Sequence, residues 1–60
     1  MDGIELRRAR EERGISQERL AEVLGVGRSY ISQIENRVRL TDRLRDRYLA
    51  ALAAAAGRAA

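Results

Sequence analysis

The chain has 60 residues, a formal net charge of +3, and neither Cys nor His. Those absences exclude disulfides, thiolate chemistry, zinc sites built on Cys or His, and the commonest general base, so no catalytic residue, metal or cofactor is expected and the chain does not read as an enzyme. A chain this short buries only about 60% of the surface its unfolded form exposes, which allows one marginal domain over residues 1–60 and makes a partner valuable. With no long apolar run before the alanine-rich end and no signal-peptide pattern, a cytoplasmic location and no membrane partner are expected.

No Pro interrupts a sequence dense in Ala, Leu, Arg and Glu, so the expected fold class is all-α, with about four helices punctuated by Gly14, Gly25, Gly27 and Gly57. Asp2 caps the first helix, expected over 3–13, with Glu5 three residues on and Gly14 suited to the left-handed residue that ends it. Ser16 caps the second, 17–24, whose apolar stripe is Leu20, Ala21 and Leu24. Gly25, Val26 and Gly27 leave room only for a tight turn into the third helix, 28–36. Two short helices joined by a Gly-containing turn make a helix-turn-helix unit. Thr41 and Asp42 open the fourth, 42–56, in which Leu44, Tyr48, Ala51, Leu52 and Ala55 share a face and Leu49 falls off it.

The third helix is the informative one. At about 100° per residue, Arg28, Ser29, Ser32, Gln33 and Asn36 fall on one face while Ile31 and Ile34 point the other way. Every side chain on the outer face can hydrogen-bond and none is an acid, which is the chemistry a major groove requires: Arg forks onto guanine, Gln or Asn onto adenine, and Ser adapts to either. The charge is also uneven. Residues 1–36 hold six Arg and seven acids, whereas residues 37–60 hold six Arg and two acids, so the surplus sits just after the third helix. Taken alone, either feature is equally the polar face or solvated charge cluster of any surface helix.

Together, Arg13-Gly14-Ile15-Ser16-Gln17, Leu20-Ala21, Leu24-Gly25-Val26 and Ile31-Ser32-Gln33-Ile34-Glu35-Asn36 resemble the phage repressor and Cro class of helix-turn-helix regulators, the XRE family, over about residues 4–39. The resemblance implies a lambda-repressor-like helical bundle, bacterial or phage-encoded, that binds double-stranded DNA with its third helix in the major groove. Carried over by residue, it puts Arg28, Ser29, Ser32 and Gln33 on base edges. Ser16 and Gln17 at the start of the second helix meet phosphate, as do Asn36 and the loop after it with Arg37, Arg39 and Arg43. Gln17 is otherwise a plain helix-start residue, and Tyr30 is either a phosphate contact or a ring packed at the helix edge. Arg10 and Glu35 stand where relatives carry an ion pair between the first and third helices.

Two departures from the class stand out: Arg37 occupies the place of the usual Gly after the Glu-Asn pair, and no Pro precedes the fourth helix. That single alanine-rich helix puts the class's usual dimer surface in question, and Tyr48, Leu49 and Leu52 are the candidate dimer contacts. The expected function is transcriptional regulation, as a repressor, by a homodimer on a pseudo-palindromic operator. The alternative is a protein-interaction module, antitoxin-like or RNA polymerase-binding, that uses the same face of the fourth helix.

Overall fold

Local chemistry starts and stops each helix. In the computed structural model, which describes residues 2–37 and 39–59, α1 spans Gly3–Glu12, α2 Gln17–Leu24, α3 Arg28–Glu35 and α4 Asp42–Ala59. The Asp2 carboxylate accepts from the Glu5 amide at 3.1 Å, Ser16 Oγ from the Arg19 amide at 3.0 Å, and Thr41 Oγ1 from the Leu44 amide at 3.1 Å, so a side-chain oxygen meets an otherwise unpaired donor at three of the four helix starts. Gly27 precedes α3 with no side chain to offer.

The helices stop by two different means. Gly25 adopts φ 75°, as Gly14 does at 67°, and its amide with that of Val26 closes the end of α2 on the Ala21 carbonyl, at 2.8 and 3.0 Å. This left-handed residue turns the chain abruptly enough for α3 to begin three residues later. By contrast, α3 ends on Asn36 in the right-handed region, with φ −94° and ψ −1°. The ends expected at 13 and 36 each fall one residue earlier, because Arg13 and Asn36 act as caps. The helix expected to stop at 56 continues through Gly57 to Ala59, the flanking alanines offsetting the roughly 1 kcal/mol a helical glycine costs.

One core forms where the inward stripes meet: Leu6 of α1, Leu20 and Ala21 of α2, Ile31 and Ile34 of α3, and Tyr48, Ala51, Leu52 and Ala55 of α4, with Ile15 from the turn after α1. Both α3 and α4 pack against α1 and α2. Among the described residues, no Cα of α3 comes within 8 Å of one in α4. None of these helices is long and apolar enough to cross a membrane.

Candidate nucleic-acid interface

The turn at Gly25 leaves α3 resting on Ile31 and Ile34, both fully buried, with Arg28, Ser29, Gln33 and Asn36 exposed and Ser32 half-buried on the outside. The base-reading candidates therefore lie together on an open, acid-free surface of α3. Hollows open on either side of it. The larger, of about 490 Å³, lies toward the start of α2 and is lined by Ser16, Gln17, Arg28, Ser32 and Asn36, with Arg7 and Arg10 of α1 and the acids Glu18 and Glu35. The smaller, of about 220 Å³, lies toward the start of α4 and is lined by Tyr30, Thr41, Arg43, Leu44 and Arg47.

The phosphate candidates thus divide into two groups that flank α3. Ser16, Gln17 and Asn36 border one hollow, and Tyr30 and Arg43 border the other. Arg37 and Arg39 are exposed in the loop between α3 and α4. Tyr30 is half-buried against the core and lines the hollow beside Arg43. One basic residue escaped the sequence reading, Arg7, one turn before Arg10, while Arg47, one turn after Arg43, belongs to the Arg surplus that follows the third helix. Helical spacing of three and four residues was the available signal.

Behind this surface lies a buried charge. Arg10 and Glu35 form a two-pronged ion pair, Nε to Oε2 at 2.8 Å and Nη2 to Oε1 at 3.2 Å, with both side chains almost completely shielded from solvent. Arg10 Nη1 donates to the Ile15 carbonyl at 2.8 Å, which ties the pair to the turn before α2. Gln17 Nε2 donates to Glu35 Oε1 at 3.1 Å, so one amide hydrogen of Gln17 is used inward while the other and the carbonyl oxygen remain for an external partner. Tyr48 Oη donates to Glu35 Oε2 at 2.7 Å. Burial opposes ionisation of Glu35, but the hydrogen bonds from Arg10, Tyr48 and Gln17 outweigh it and hold the carboxyl below its ordinary range. Its hydrogen bond to Glu35 raises Arg10 above the usual guanidinium value against the opposing effect of burial. Burial first, and then the neighbouring carboxylate, push Tyr48 upward.

The same corner replaces the glycine that α3 lacks at its end. The Gly3 amide, at the start of α1, donates to the Arg37 carbonyl at 2.8 Å. A Cβ at Gly3 would fall on the carbonyls of Ile34 and Glu35, so only glycine lets the positive end of α1 meet the negative end of α3 this closely.

Two short helices joined through a left-handed glycine, the second with a polar outer face, form a helix-turn-helix unit, and a family model described as helix-turn-helix matches residues 6–58. The chain belongs to the Cro/C1-type helix-turn-helix family. It is a DNA-binding transcription regulator of that type, and double-stranded DNA is its partner. No curated protein and no solved structure gave a match.

In this helix-turn-helix protein the candidate dimer residues need correction. Tyr48 is fully buried and Leu52 is 1% exposed, so neither can meet a second subunit without unpacking the core. The reason is their register in α4: they share the inward stripe with Ala51 and Ala55, and the Tyr48 hydroxyl is committed to Glu35. Leu49, off that stripe, remains half-buried and is the one member of the trio within reach of another chain.

Proposed function

We propose that this regulator is a repressor that binds a pseudo-palindromic operator as a homodimer, each α3 entering one of two successive major grooves about 34 Å apart. In this reading Arg28, Ser29, Ser32 and Gln33 read base edges. Ser16, Gln17 and Asn36 take phosphate on one side of α3, and Tyr30, Arg37, Arg39 and Arg43 take it on the other. The observation that carries the reading is the exposed, acid-free outer face of α3 with an Arg-bearing hollow on each flank. Base edges specify and phosphates position, so a reading helix between two backbone-contacting zones is the arrangement the task requires. Dimerisation is supported by the chemistry of the task, because one eight-residue helix offers few base contacts, and Leu49 is the contact we assign to it.

Selection of binding sites from random duplex DNA at about physiological salt, with light scattering of the free and bound protein, tests the proposal. A two-fold symmetric motif with half-sites one helical turn apart and a two-chain complex is the expected result. An asymmetric motif bound by a single chain overturns the dimer, and no enriched motif overturns sequence-specific reading and leaves a protein-interaction module in its place.

A further inference from the structure

Glu35, at the last turn of α3, accepts side-chain hydrogen bonds from all three other helices: α1 sends Arg10, α2 sends Gln17 and α4 sends Tyr48. The shortest of these contacts comes from the fully buried Tyr48, at 2.7 Å. Its hydroxyl has one proton and two acceptors in range, Glu35 Oε2 and the Leu6 carbonyl at 3.3 Å. Distance and the charge of the carboxylate assign that proton to Glu35.

Because no Cα of α3 lies within 8 Å of α4 among the described residues, the link between these two helices runs through side chains, and Tyr48 to Glu35 is its hydrogen bond. In addition, α3 lacks a left-handed cap of its own, so contacts with other elements hold its C-terminal end.

We propose that Tyr48 is a positioning residue for DNA recognition: through its hydroxyl, α4 locks Glu35 and thereby sets the orientation in which α3 presents its reading face. Sequence discrimination then depends on a residue that touches no base. The proposal rests on the DNA-reading assignment above.

Tyr48→Phe keeps the ring in the core and removes only the hydroxyl. Among the described residues, Arg10 and Gln17 are then the groups that hydrogen-bond Glu35. Three quantities are read: the titration of the Glu35 side-chain carbon by NMR, amide exchange over Ile31–Asn36, and affinity for the selected operator and for random duplex at one salt concentration. We expect the Glu35 titration to move to higher pH, exchange in α3 to rise, and operator affinity to fall about five- to tenfold while random-duplex affinity holds, about the net size of one ordinary intramolecular hydrogen bond. Leu52→Val, which loosens the same helix without touching Glu35, controls for lost stability and should leave the operator-to-random ratio unchanged. A folded Tyr48→Phe protein with wild-type discrimination overturns the proposal, as does a ratio lowered equally by Leu52→Val. A wild-type chain without sequence preference overturns the DNA-reading assignment instead, and the titration and exchange measurements still decide whether the hydroxyl braces α3.

Discussion

The outer face of α3 and the corner around Glu35 are built from the same kinds of side chain, charged or hydrogen-bonding, yet the fold treats them in opposite ways. Around Glu35 the Arg10, Tyr48 and carboxylate groups are buried and partnered, with a further donor from the half-buried Gln17, so that α1, α2 and α4 all contribute. On the outer face Arg28, Ser29 and Gln33 are exposed. Residue type therefore does not assign the role here. A buried, saturated charge is architecture, because removing a partner strands the other charge in low dielectric, whereas an exposed donor costs the fold little and is available to another molecule.

The largest effect is expected at Arg10. Arg10→Ala leaves Glu35 buried without its cation, and a loss of about 3–5 kcal/mol is expected, enough to unfold most of a domain of this size at room temperature. Thermal unfolding followed by circular dichroism measures it, and a loss below about 0.5 kcal/mol would place the pair among ordinary surface salt bridges.

Acid sharpens the same corner. The folded Glu35 carboxyl lies below its ordinary value of 4.5, so its contribution to stability is fully present above that value and is lost as pH falls through the lower, folded one. Chemical unfolding across the acid range should show this slope in the wild type, and Glu35→Gln should lack that part of it. Identical acid limbs in the two proteins would contradict the assignment.

Gly3→Ala probes the backbone side of the corner. The added methyl meets the Ile34 and Glu35 carbonyls, and a cost of about 1–3 kcal/mol is expected from forcing α1 and α3 apart. Gly57→Ala, at an exposed position with open space around the added methyl, should instead stabilise by up to about 1 kcal/mol. Equal effects at the two glycines would remove the close-approach argument.

On the outer face the expectation reverses. Arg28→Ala and Gln33→Ala should change folding stability by no more than about 0.5 kcal/mol while costing about 1–3 kcal/mol in operator affinity and relaxing specificity. Smallest and least selective, Arg43→Ala should weaken operator and random duplex alike and lower the salt slope by about one, measured by titration at several salt concentrations.

Much of this molecule was legible in its residues. The caps Asp2, Ser16 and Thr41 and the left-handed Gly14 and Gly25 act within a few residues of themselves, so the chain's local chemistry is enough to mark where the helices begin and where two of them end. The separation of Ile31 and Ile34 from Arg28, Ser29 and Gln33 follows from helical period alone, which made the reading face visible. Tertiary packing decided the rest. Helical period put Tyr48, Ala51, Leu52 and Ala55 on one face of α4 with Leu49 off it, but that the core takes up this face completely, and so withdraws Tyr48 and Leu52 from any second chain, depends on how α4 packs against α1 and α2. That Glu35 gathers Tyr48 as well as Arg10 and Gln17, and that Gly3 must be glycine, depends on distances between segments 13 to 42 residues apart, where pattern is silent and only the packed chain brings the partners together.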